Sequence, residues 1–216
     1  MKNKSILLNL FAGVAAVSFI VGCSSTGYDK AADTATSLTQ SSDMNAKGSG
    51  LIDQSLAALN DLASNPQPDL RKQFKTFNSS VDDLGSTAKD VNSKAESMKA
   101  QGTAYFEKWD QESAKIQNED IRNRSVARKN EVADKFGRIR ADYEQTKADF
   151  TPFMSDLRDV QKFLSTDLTT GGLAAIKGVA AKANQHAVPL KKSLGELTSE
   201  FKGLSASMSP TTGAAK

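Results

Sequence analysis

The chain has 216 residues, with 28 Lys and Arg against 25 Asp and Glu, one Cys, one His and 38% apolar residues. One Cys excludes a disulfide framework and a cysteine zinc cluster, and one His leaves little for metal or triad chemistry. Fourteen apolar residues fall in the first 22 positions, and the rest of the chain holds only 12 Val and Ile, which argues against a large sheet.

Met1 to Lys4 is a short basic stretch, and Ser5 to Val21 is uncharged and mostly apolar. That is the pattern of a signal peptide over residues 1–22. The apolar stretch is short for a membrane span and no basic stop-transfer cluster follows it. It ends Ile20-Val21-Gly22-Cys23-Ser24, which resembles the lipobox of bacterial lipoproteins. The resemblance implies cleavage between Gly22 and Cys23, diacylation of the Cys23 sulfur and acylation of the new amine. The covalent lipid on Cys23 is the only cofactor expected. Acyl chains contribute about 0.8 kcal/mol per buried methylene, and several chains hold where one does not. Ser24, where inner-membrane lipoproteins often carry Asp, resembles the outer-membrane class, so the expected place is the outer membrane, facing the periplasm. Without Lys2 and Lys4 the balance is 26 basic to 25 acidic. That is no argument for a nucleic-acid partner.

Residues 23–50 are rich in Ser, Thr, Ala and Asp, with Tyr28, Leu38 and Met44 as the only large apolar residues. They read as a lipidated N-terminus and tether, or a frayed helix. From Leu51 apolar residues fall at helical spacing, and Asn65-Pro66-Gln67-Pro68 stops the helix. The next stretch alternates steps of four and three: Leu70, Phe74, Phe77, Val81, Leu84, Ala88, Val91, Ala95, Met98, Gly102, Tyr105, Trp109. This 3.5-residue period is a coiled-coil or long-bundle signature. The small residues Ala88, Ala95 and Gly102 would permit close helix approach.

A second seam runs Val132, Phe136, Ile139, Tyr143, Thr146, Phe150, Phe153, Leu157, Val160, Leu164, one residue out of phase with the first. The polar stretch Gln117 to Glu131 lies between them. It is either a turn, favoured only slightly because no Gly or Pro marks one, or part of one very long helix whose seam slips there. A turn implies a rod of roughly 75 Å and a continuous helix about 150 Å. Thr166 to Gly172 reads as a loop with N-cap candidates. The last seam runs from Leu173 through Ala183 to Leu204. Pro152 and Pro189 should kink their helices.

These patterns predict an all-α fold, an elongated antiparallel bundle or coiled coil occupying 51–206. Its helices cover about 51–64, 69–117, 122–165 and 171–206, followed by a flexible tail at 207–216. Each helix has one narrow apolar stripe, so the four must pack side by side, in cis or as a homo-oligomer.

Few residues suggest chemistry. His186 has no second His and no carboxylate at i±3 or i±4, so no catalytic or metal site is expected. Tyr105 and Trp109, with Phe106 beside them, are either core or the grip for an apolar ligand. Arg122, Arg124, Arg128 and Lys129 form the sharpest basic cluster. It is either a partner contact for an anionic lipid, a glycan or an acidic protein, or a solvated bend with pairs such as Arg128–Glu131 and Arg124–Asp120. Lys216 ends the chain. A C-terminal Lys on a lipidated helix is similar to murein lipoprotein, and that similarity implies peptidoglycan attachment. The tail lacks the Tyr-Arg that precedes the Lys there.

Phe106-Glu107-Lys108-Trp109, Tyr143-Glu144, the run Pro152 to Leu168 and Ala174-Ala175-Ile176 resemble a proteobacterial domain-of-unknown-function family, number twenty-nine fifty-nine. Its members are expected to be coiled-coil lipoproteins. The resemblance implies an elongated helical fold and carries no activity. The expected function is therefore a non-enzymatic structural or adaptor role in the cell envelope, contacting peptidoglycan or an envelope complex. The alternatives are a helical binding module for an apolar ligand or lipid, and a peptidoglycan tether through Lys216.

Overall fold

The computed structural model describes residues 27–209. The expected leader, the Gly22–Cys23 cleavage and lipidation site, and Lys216 lie outside these residues. Four helices follow one another up and down: α1 (Gly27–Ser64), α2 (Leu70–Ser113), α3 (Glu119–Leu164) and α4 (Thr170–Met208). No strand occurs among the described residues. With 46 residues, α3 is about 69 Å long at 1.5 Å per residue. The predicted all-α antiparallel bundle is the observed fold.

The first helix corrects the tether reading. Residues 27–50 form the first half of α1, and Thr34, Ala35, Ser37, Leu38, Ser41, Ser42 and Asn45 are buried in the bundle. The buried face is polar but mostly satisfied within the protein. Thr34 and Ser41 hydroxyls donate to carbonyls four residues back, at 2.7 and 2.8 Å. Ser37 donates to Gln101 on α2 at 2.6 Å, and Ser205 on α4 donates to the Ala35 carbonyl at 2.9 Å. Small hydroxyl side chains satisfied this way let helices approach closely without large apolar residues. A hydrophobicity pattern does not register such a face.

The seam slip between α2 and α3 is a turn, at residues 114–118, so the one-long-helix alternative is excluded. The turn comes earlier than the polar stretch suggested, because Asn118 starts a helix. Its side chain accepts from the Ile121 N–H at 3.0 Å, and Glu119 and Asp120 occupy the first turn, where the helix dipole favours negative charge. Asp69 caps α2 and Thr169 caps α4 in the same way. Both α3 and α4 run unbroken across Pro152 and Pro189.

Helix α1 packs on α2 and α4, and α3 packs on α4. The α2–α3 contact is the thinnest of the four. The core falls into two clusters. One surrounds Phe77, Phe153, Leu157 and Ala183 near the α1–α2 and α3–α4 turns, and the other surrounds Tyr105, Val132, Phe201 and Leu204 near the α2–α3 turn. Ten α4 seam residues from Leu173 to Leu204 are all buried. The α2 and α3 seams are not buried throughout. Ala88, Val91 and Ala95 on α2 and Tyr143, Thr146 and Phe150 on α3 are only half-buried. These stretches meet at one level of the rod, between the two core clusters.

Candidate functional site

Where both seams thin, α2 and α3 stand apart over a cleft of about 480 Å³, within the range of small-molecule sites. The cause lies in side-chain volume. Ala88 is too short to fill the space that Leu84 and Val81 fill one and two turns earlier. Gly102 behaves as the sequence predicts, since the Phe136 ring lies 3.2 Å from where its Cβ would stand. Ala88 lines the cleft. Close approach at Gly102 and an opening at Ala88 thus arise from the same small-residue stripe.

The floor comes from α1 and α4, with Ile52, Leu190, Leu194 and Leu197. Asn45 of α1 also lines it, and this residue is 2% exposed. Its Nδ2 is buried with no hydrogen-bond partner. A buried donor left unpaired costs about 1–3 kcal/mol. Ser42 Oγ of α1 is also buried without a partner, but of the two only Asn45 lines the cleft, and a buried polar group left unpaired needs a reason.

Charge around the cleft is one-sided. Lys89, Lys147 and Arg158 line it, and no Asp or Glu does. All three are exposed, and among the described residues none forms an ion pair with a carboxylate. A Cβ built at Gly85 would press on Met154 Cε at 3.2 Å and touch the Arg158 guanidinium at 3.5 Å. At one end of the cleft, Tyr143 of α3 reaches across and donates its hydroxyl to Asn92 Oδ1 of α2 at 2.9 Å. Burial pushes the Tyr143 phenol pKa up, and Glu144 and Glu96 push it further. The phenol therefore keeps its proton at neutral pH and remains a donor. Beyond Tyr143 lies a second opening of about 340 Å³ in which Glu96 and Glu144 accompany Lys99 and Arg140.

The residues singled out from the sequence lie elsewhere. Tyr105 and Trp109 are packed edge to face at 5.4 Å in the filled core near the α2–α3 turn, and Trp109 Nε1 donates to Ser125 Oγ at 2.8 Å. They do not line the cleft, so a ligand grip at these rings is corrected to core packing. The basic cluster is largely spent on structure. Arg122 donates to the Ile116 carbonyl and so closes the α2–α3 turn at 3.1 Å. Arg128 pairs with Glu131 at 2.8 Å and donates to the Ser207 carbonyl of α4 at 3.2 Å. Lys129 pairs with Asp110 across to α2. Arg124 is exposed, and the Arg124–Asp120 pair is not formed. His186 does find a carboxylate, Asp156 of α3, at 2.7 Å, which no spacing rule within α4 could supply. Among the described residues no group of three His, Cys, Asp or Glu could hold a metal ion, and no helix is long and apolar enough to cross a membrane.

The sequence did carry a signal for the cleft. The α2 seam loses bulk at Ala88, and Thr146 of the α3 seam lines the same cleft. Asn45, Lys89, Lys147 and Arg158 had no signal of their own.

Comparison with curated proteins and with solved structures found no match. The family model described as protein of unknown function (DUF2959) matches residues 22–203, and the chain belongs to that family.

Proposed function

We propose that this chain is a lipid-anchored protein of the bacterial envelope whose bundle is a non-enzymatic binding module for an apolar chain. The observation that carries the binding role is the cleft between α2 and α3, apolar at its floor and holding an unpaired amide. Support for the anchor comes from the stretch Ile20 to Cys23 behind its basic and apolar leader. Helix α1 starts at Gly27, four residues after Cys23, so an acylated Cys23 would hold the α2–α3 turn end of the rod toward the membrane. Outer-membrane placement facing the periplasm follows from Ser24 and belongs to the same proposal.

Two measurements test the two parts. Cys23→Ala should move the protein from the membrane to the soluble fraction, and retention in the membrane refutes the anchor. A neutral fluorescent apolar probe should bind the full-length protein in phosphatidylcholine vesicles above the vesicle background. A signal unchanged by Ala88→Phe, which fills the cleft, refutes the binding role. The structural tether remains a variant through Lys216. Finding no C-terminal peptide of this chain on digested peptidoglycan removes it.

A further inference from the structure

The cleft also carries information about what enters it, and this step rests on the binding role proposed above. An apolar floor asks for a hydrocarbon chain, but a hydrocarbon alone would leave Asn45 Nδ2 unpaired. The amide asks for an acceptor oxygen, such as a carboxylate or an ester carbonyl. Lys89, Lys147 and Arg158, with no acid among the lining residues and no ion pair of their own among the described residues, ask for a negative group beside that oxygen. The second opening, where Glu96 and Glu144 offset the cations, makes no such demand. Its separation by the Tyr143–Asn92 hydrogen bond confines the ligand head to the Arg158 side.

We infer that the cleft takes a single-chain anionic amphiphile: one acyl chain lies over Ile52, Leu190 and Leu194, an oxygen accepts from Asn45, and the anionic head meets Lys147 and Arg158. Both a long-chain carboxylate and a one-chain phospholipid have this chemistry. One chain rather than two follows from the cleft's 480 Å³, at the lower end of the range for ligand sites. Entry needs no unfolding, because the α2–α3 contact is already the thinnest of the four main helix pairs.

The test uses the full-length lipidated protein in phosphatidylcholine vesicles and two photoactivatable probes, a palmitate and a hexadecanol of equal length. The palmitate should label peptides within 84–95 and 143–158, and the hexadecanol should label them far less. Palmitate or lysophosphatidylglycerol in excess should suppress the labelling, and whichever does so tells carboxylate from phosphate recognition. The Lys147→Gln, Arg158→Gln double variant changes only exposed side chains and should shift half-saturation about tenfold. Asn45→Leu should lower labelling by palmitate. Equal labelling by both probes overturns the anionic class and leaves the apolar binding role standing. No labelling of these segments by either probe overturns both.

Discussion

Asn45→Leu should make the protein more stable. Asn45 is 2% exposed and its Nδ2 has no partner, which penalises the folded state by about 1–3 kcal/mol. The void that touches it beneath the cleft, beside Val91, Leu197 and Phe201, is only about 10 Å³. That is at the lower limit of what one water needs, so hydration from below offers little relief. Leu has nearly the same reach, removes the donor and adds apolar contact with these neighbours. It is also the better helix former, by a few tenths of a kcal/mol. The expected gain is about 2 kcal/mol, or roughly 4–8 °C in Tm for a chain of this size. Urea unfolding should show a higher midpoint with an unchanged slope. A variant equal to or less stable than the parent refutes the reasoning, because the amide would then already be satisfied. If the gain appears together with weaker amphiphile binding, the unpaired amide is kept for function at the expense of stability.

Other substitutions probe the frame around the cleft. A Cβ at Gly172 would stand 2.1 Å from the Asp167 carbonyl oxygen, so Gly172→Ala should lower stability by about 2 kcal/mol or more. Gly178→Ala meets nothing within 4 Å and should raise it by about 0.5–1 kcal/mol, and paired thermal melts check the contrast. Asn118→Ala removes the α3 cap and should cost about 1 kcal/mol, read as a Tm drop of roughly 3 °C. Burial, then Glu200 and Glu196, hold the Asp142 carboxyl above the usual carboxylate range, with Arg138 pulling back. The folded state therefore binds this proton more tightly than the unfolded state, and stability from this group is lost as pH rises through the raised pKa. Asp142→Asn should raise Tm by about 1–2 °C at pH 7, and melts at pH 3, where the carboxyl is protonated in both states, should show no difference.

Most of the fold was legible because helices write their buried face as a period. The α4 seam from Leu173 to Leu204 is buried at every position, and Asn65 to Pro68 stops α1 where turn chemistry requires. The start of α1 was not legible. Its buried face is built from Thr34, Ser37, Ser41 and Ser42, and small hydroxyl side chains leave no hydrophobic trace. The α2–α3 turn was placed a few residues late, because a polar stretch marks solvent exposure but not the position of a cap.

By itself, the sequence determined four amphipathic helices and their antiparallel order. Each is a local property, set by spacing or caps. Tertiary structure decided which small residues were covered and which left a cleft. Gly102 meets Phe136, and Ala88 meets open space. It also decided that Asn45 of α1 would share a wall with Lys147 and Arg158 of α3, and that the arginines of the α2–α3 turn would be spent on carbonyls and Glu131. Volume and charge at a helix interface are sums over several chain segments, and only packing brings those segments to one place.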